Sequence, residues 1–367
     1  MTILTIASLT GCATGPDKMA SILPGTIGPG APGTTDVHIE RVFGPEHPAR
    51  YKHPAAITEL NNGDLYLAYF GGSGEYGDDT AVYGSRRPKG SARWTPPKVI
   101  ADTPRRGEGN PVVWQAPDGL VWLFYVNRYG DTWSSSRIKV KISTDQAHTW
   151  SDSFMLTMEA GTMVRGQPIV LSGGDYLLGV YFETGEDREA TAPDTKSFFL
   201  RYDVKAKTWS ETNRITSRTG NLQPSPVQIT DDFLIAYCRP GGGFIDRKDS
   251  YLVRSESHDG GRTFADGIDD TRFQNPNSAA DCIKLKNGHL LLVYNDSMKD
   301  RSPLTVAIST DNDKTYPHQR NIMEGHEPFA YPYAIQTKDG LIHIIFTSND
   351  RTVINHATFQ ESAIIGE

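Results

Sequence analysis

Ser143-Thr-Asp-Gln-Ala-His-Thr-Trp150, Ser257-His-Asp-Gly-Gly-Arg-Thr-Phe264 and Ser309-Thr-Asp-Asn-Asp-Lys-Thr-Tyr316 are three renderings of one phrase, a Ser-x-Asp turn closed by Thr and an aromatic. An Asp so placed accepts hydrogen bonds from backbone N–H groups of its own turn, which leaves the aromatic free to pack elsewhere. The closing aromatics belong to a longer series. Trp94, Trp150, Trp209, Phe264 and Tyr316 follow one another at 56, 59, 55 and 52 residues. A second series runs in phase with them. Asn62-Gly63, Asp118-Gly119, Gly173-Gly174, Asp231-Asp232, Asn287-Gly288 and Asp339-Gly340 each precede an apolar, strand-forming run: LYLAYF, VWLFYV, YLLGVYF, FLIAY, LLLVY and LIHIIF. Their second residues are spaced by 56, 55, 58, 56 and 52. Asn-Gly and Asp-Gly make tight hairpins because both positions tolerate positive φ, and the runs after them are rich in aromatic and β-branched residues.

Six units of this length, none able to bury both of its faces alone, predict an all-β fold, a six-bladed β-propeller of four-stranded blades. Residues 36–43 are expected to complete the last blade beside the strand at 353–359, closing the ring. No stretch shows the sustained 3.6-residue periodicity that would call for a further helical domain. The chain therefore divides into a leader at 1–12, a linker at 13–35 and one propeller at 36–367.

Composition agrees. Thirty-five Gly, 23 Pro and only three Cys in 367 residues describe a turn-rich protein without a disulfide framework. The net charge is −7, with no long Lys/Arg block, which argues against a nucleic-acid backbone as partner. No run of 18 apolar residues offers a membrane-spanning helix. Cys238 and Cys282 lie in apolar, strand-like runs and are expected to be buried thiols. No His/Cys spacing matches a zinc site and no Asp/Asn array a calcium loop, so neither a metal nor another cofactor is expected.

From about Arg50 to Phe359 the chain resembles the sialidase superfamily, particularly its bacterial BNR-repeat, sialidase-like branch. The resemblance is carried by the three Ser-x-Asp phrases, which look like Asp-boxes, by Gly71-Gly-Ser-Gly-Glu75 with Asp78-Asp79, and by Gly109-Asn-Pro-Val112. It is carried further by Gln223-Pro224, Asn275-Pro-Asn-Ser278, Tyr331-Pro332, and Phe346-Thr347 leading to Arg351. The resemblance implies a site at the ring mouth, where an arginine triad grips a sugar carboxylate and a Tyr, activated by a Glu, attacks the anomeric carbon while an Asp supplies the proton. Arg suits the first task because its planar fork matches a carboxylate in two parallel bonds. A neutral Tyr suits the second, because that carbon carries a carboxylate which would repel an anionic nucleophile.

Carried over residue by residue, the resemblance gives Arg239 and Arg301 as carboxylate-binding arginines, Tyr331 as nucleophile, and Asp79 or Asp78 as acid. Lys52, in Tyr51-Lys52-His53-Pro54, stands where the first triad arginine belongs. Gln223 stands for the Glu that should activate Tyr, and Thr347 for a late Glu. Because Gln223 cannot accept a proton, Glu75, Glu183 or His53 becomes the candidate to take over. Arg351 is a further candidate for binding the carboxylate, and Arg165 and Arg188 are cations that the sequence leaves unplaced. Asp in a Gly-rich loop ordinarily caps the turn, which is the other reading of Asp78 and Asp79.

The implied partner is a glycan or acidic sugar, and the implied activity is release of a terminal sialic acid or related sugar by an exo-acting glycoside hydrolase. Two alternatives stay open. One is a lyase on a uronic-acid polysaccharide, with His53 or Tyr331 abstracting the proton beside the uronate. The other is a non-catalytic glycan-binding propeller, which Gln223 favours. Leu9-Thr10-Gly11-Cys12 after a short apolar stretch resembles a bacterial lipobox, and the Gly/Pro/Thr-rich residues 13–35 resemble a tether. The chain is thus expected as an exported, monomeric lipoprotein of the cell envelope, touching the membrane only through Cys12.

Overall fold

Each predicted turn joins two antiparallel strands, and six such sheets stand around one axis. The computed structural model describes residues 36–188, 190–243 and 248–366. The first blade runs Tyr51–Glu59, Leu65–Gly72, Ala81–Arg87 and Lys98–Ala101 from axis to rim. The second begins with Glu108–Gln115, the fourth with Asn221–Gln228, the fifth with Asp281–Lys284 and the sixth with Ala330–Gln336. The third blade departs from the expected four strands. Its innermost strand is broken into Thr162–Val164 and Ile169–Val170, both paired with Tyr176–Phe182, and the break frees Arg165 from the ladder.

Ring closure follows the expected route. His38–Phe43 pairs antiparallel with Val353–Phe359, His38 facing Thr358. The last blade therefore draws strands from both ends of the fold. Second strands such as Leu65–Gly72 and Val121–Arg128 are buried at every residue. That burial explains their unbroken apolar runs, since neighbouring blades cover both faces.

The Ser-x-Asp hairpins share one hydrogen-bonding pattern. Asp145 accepts from the backbone N–H of His148 and Thr149 and from the hydroxyls of Ser143 and Thr149. Asp259 does the same with Arg262, Thr263 and Ser257. Each closing aromatic then packs on the preceding blade. Trp94 approaches His356, Trp150 meets Tyr66, Trp209 meets Trp122 and Phe124, Phe264 lies 4.3 Å from Phe199, and Tyr316 lies 5.0 Å from Phe273. The repeat spacing is thus the spacing of inter-blade plugs.

Cys238 and Cys282 are free and buried, and burial pushes the Cys238 thiol up to about 12. Among the described residues no helix is long and apolar enough to cross a membrane. The lipobox expected at Cys12 and the tether expected at 13–35 lie outside the described residues.

Candidate active site

Two places in every blade reach the same end of the axis: the start of the innermost strand and the loop that leaves the second strand. The innermost strands carry a register shift there, at 52–55, 109–112, 222–225 and 330–333. Each shift spans an X-Pro pair: His53-Pro54, Asn110-Pro111, Gln223-Pro224 and Tyr331-Pro332. Proline lacks the N–H that the ladder needs, so it belongs at such a bulge, and the bulge re-aims the residue before it. Asn110, Gln223 and Tyr331 sit at φ of 40°, 56° and 55°, a left-handed conformation costly for these side chains. All four residues line one pocket, together with Glu75, Glu183, Arg239, Arg301 and Arg351 from second-strand exits. The pocket is a partly open, mainly polar recess with a cavity volume of about 40 Å³.

Tyr331 lies at its base. Arg239 Nη1 donates to the phenol oxygen at 2.8 Å and Gln223 Nε2 at 3.3 Å. The guanidiniums of Arg239, Arg301 and Arg165 lie 5.8, 5.4 and 5.8 Å from the Tyr331 ring. Burial alone would raise the Tyr331 phenol, but the charges of Arg239 and Arg301 outweigh burial and hold it below an ordinary tyrosine. Burial and the nearness of Arg239 in turn depress Arg301. The His53 ring stands edge-on to Tyr331 with centroids 4.1 Å apart, and its Nδ1 meets Thr347 Oγ1 at 2.8 Å. Burial, then the arginines, drive His53 well below neutrality, so it is an uncharged imidazole.

Glu75 is committed to an ion pair with Arg351 and accepts from the Tyr51 hydroxyl at 2.9 Å. Arg128, buried, holds the Glu75 loop by donating to the carbonyls of Glu75 and Tyr76. Glu183 also lines the pocket, and burial raises its carboxyl to about 7 against the pull of Arg239. A group titrating there exchanges protons at neutral pH.

Three expectations need correction. Lys52 does not face the pocket. Its neighbour His53 does, and successive side chains of a strand point to opposite faces. Lys52 Nζ is instead bound by the carbonyls of His47 and Ala49. Asp79 does not line the pocket either, because its carboxylate caps the loop, accepting from Ser73 N and Ser73 Oγ. Asp78 points to solvent, 3.7 Å from Arg128. The acid of this loop that reaches the site is Glu75.

Sequence reasoning left Arg165 unplaced, and it reaches the axis through the break in its strand, donating to the carbonyls of Ala280 and Pro332. It also gave Asn110 no role, although Asn110 Nδ2 donates to Tyr181 Oη at 3.0 Å on the pocket wall. A signal for these bulges was present. Among the X-Pro pairs of the sequence, those at 53, 110, 167, 223, 275 and 331 form a series in phase with the turns. Among the described residues no cluster of His, Cys, Asp and Glu is arranged to hold a metal.

A ring of six blades with a charged, arginine-rich mouth defines a sialidase-like propeller. The chain belongs to the family of BNR repeat-like domains, whose model matches residues 63–344. Among solved structures it is similar to the Hadza microbial sialidase Hz136, with a TM-score of 0.71 at 17% identity over 86% of this chain and 67% of that one. It is similar to the NanB sialidase of Streptococcus pneumoniae, with a TM-score of 0.72 at 10% identity over 89% and 71%. The alpha-L-arabinanase of Penicillium chrysogenum gives 0.62 at 12% identity over 89% and 98%. These likenesses establish the fold of sialidase-like glycoside hydrolases. No curated protein matches the sequence.

Proposed function

We propose that the protein is an exo-acting glycoside hydrolase that removes a terminal acidic sugar, sialic acid or a close relative, from a glycan. One observation carries this reading. Arg239 and Arg301, from different blades, converge on Tyr331 at the base of a pocket sunk into the ring. Two guanidiniums beside a reactive oxygen suit a substrate whose carboxylate adjoins the carbon under attack. In this account Arg239 and Arg301 bind the carboxylate, Tyr331 attacks the anomeric carbon, and Glu183 protonates the leaving oxygen. Glu183 replaces Asp79 in that role because it lines the pocket and titrates near neutrality. The protein acts as a monomer at the cell envelope, tethered through Cys12.

The test is hydrolysis of a fluorogenic sialoside by the purified protein, repeated with Tyr331→Phe. Turnover that the variant loses supports the reading, and no turnover above blank refutes it. A second reading, a uronate lyase, is favoured by one feature. His53 is neutral, and its Nε2 has no hydrogen-bond partner among the described residues, as a proton acceptor would require. An unsaturated product absorbing in the ultraviolet would select the lyase. Glycan binding without any product would select the binder.

A further inference from the structure

Among the described residues no acceptor is hydrogen-bonded to the Tyr331 hydroxyl. Its hydroxyl oxygen accepts from Arg239 Nη1 and Gln223 Nε2. The orientation of the Gln223 amide is not arbitrary: its Oε1 faces Arg239 Nη1 at 3.5 Å, so turning it over would set two donors against each other. Glu75 Oε2 is engaged by Tyr51 and Arg351. His53 Nδ1 is engaged by Thr347, and its Nε2 makes no hydrogen bond to Tyr331. A base-assisted tyrosine needs an acceptor beside it, and this one has donors.

We propose that Tyr331 is activated by the donors and cations that converge on it rather than by a base, so that it ionises ahead of an ordinary phenol, with Gln223 as the positioning residue that holds the phenolate by its N–H. The bond-making step rests on the glycosidase reading above, whereas the ionisation does not. The charges around the ring permit it. Arg301 and Arg351 face Glu75, Arg239 faces Glu183, which keeps its proton below about 7, Arg165 faces the buried Asp281, and Arg188 pairs with Asp131, while His53 and Tyr181 are neutral. Among these described residues, Arg239, Arg301 and Arg351 against Glu75 leave room for the phenolate and a substrate carboxylate while Glu183 is protonated, and for the phenolate alone once it ionises. The repulsion that argues for a neutral nucleophile is thereby offset. The shift of the phenol below its ordinary value has the same cause.

The proton balance closes with one carboxyl group. In the first step Tyr331 Oη bonds to the anomeric carbon, the bond from that carbon to the leaving oxygen breaks, and the leaving oxygen takes the proton of Glu183. In the second step water attacks the same carbon, the bond to Tyr331 breaks and returns the phenolate, and the proton of water goes to Glu183. Gln223 gains and loses nothing, so its lack of basicity is no defect.

The experiment is a spectrophotometric titration of tyrosinate absorbance in the whole protein without substrate, for the wild type, Tyr331→Phe, Gln223→Met and Gln223→Glu. The wild type is expected to show one phenol ionising ahead of the rest, absent in Tyr331→Phe. Removing the amide donor in Gln223→Met should make that phenol about tenfold less acidic, the effect of losing one hydrogen bond to a charged group. Gln223→Glu, which keeps the shape and adds an anion, should weaken it further. The proposal is overturned if no phenol ionises early, if the early phenol survives in Tyr331→Phe, or if neither Gln223 variant moves it. Since no substrate is used, a failed sialoside assay leaves this result standing, and a failed titration leaves the glycosidase reading to another activation mode.

Discussion

Replacing Arg239 by Met separates the structural and functional demands on the centre of the ring. Arg239 makes good bonds, donating to Asn277 Oδ1 at 2.7 Å and to Tyr331 at 2.8 Å. It also sits in a field of like charge. Its guanidinium and that of Arg301 flank one ring at 5.8 and 5.4 Å, so they are at most about 11 Å apart. At an effective dielectric of ~20 their repulsion is roughly 1.5 kcal/mol or more. Leaving Asn277 without its donor costs about 1–3 kcal/mol. The two effects nearly cancel, and the melting temperature should move by less than about 3 °C. Catalysis has no such cancellation. A carboxylate loses two charge-assisted hydrogen bonds of about 1.5–3 kcal/mol each, so kcat/KM should fall by roughly 10²–10⁴. Arg239→Lys should recover only part, since an ammonium keeps the charge without the fork. The assay pairs kcat/KM on a fluorogenic acidic glycoside with a calorimetric melting curve. A variant that melts some 8 °C lower while losing little activity would show Arg239 to be a strut, and the reasoning would be refuted.

Glu183→Gln should remove the alkaline limb of the rate–pH profile, because the wild-type carboxyl, titrating at about 7, loses its catalytic proton as pH rises through that value. The same shift lies above the unfolded value, so the native state holds the extra proton and stability falls as pH rises from about 4.5 to 7. Glu183→Gln should therefore melt higher than wild type at pH 8, and an equal or lower melting point would count against a buried, neutral acid. Trp209→Ala unplugs the second blade from the third, near Trp122 and Phe124, and should cost about 3 kcal/mol, seen as an earlier denaturant midpoint. Ala147 holds φ of 61° at the hairpin position that Gly261 fills in its sister turn, so Ala147→Gly should stabilise by up to about 1 kcal/mol. The buried pair His343 and His356, linked at 2.9 Å and to Glu40 through His356, is held below the usual histidine range chiefly by burial. Its unfolded form takes up protons first as pH falls below about 6.5, so melting temperature should drop from pH 7 to pH 5, and less so in His343→Gln.

The fold was legible because its determinants repeat. A hairpin pair, an apolar strand and a plug aromatic are each fixed by local chemistry and return once per blade, so even degenerate copies such as the Ala147 turn keep their phase. The site was legible only in part. Arg239, Arg301, Tyr331, Gln223 and His53 do come together, but Lys52 was misjudged by one residue, and one residue in a strand is the difference between facing the axis and facing a loop carbonyl. Asp78 and Asp79 were misjudged because loop geometry decides whether a carboxylate caps its own turn or reaches across it. Arg165 escaped assignment, and Glu183, named only as a possible stand-in for the missing base, was not read as an acid, for a different reason. Arg165 depends on a broken strand and Glu183 on burial among distant blades, and no local pattern announces either.

Co-crystallisation with an acidic monosaccharide such as free sialic acid tests the central claim most directly. The sugar carboxylate should lie within about 3 Å of the Arg239 and Arg301 guanidiniums, with the anomeric carbon turned toward Tyr331 Oη. An empty pocket at saturating ligand, or a sugar whose carboxylate avoids both arginines, would contradict it.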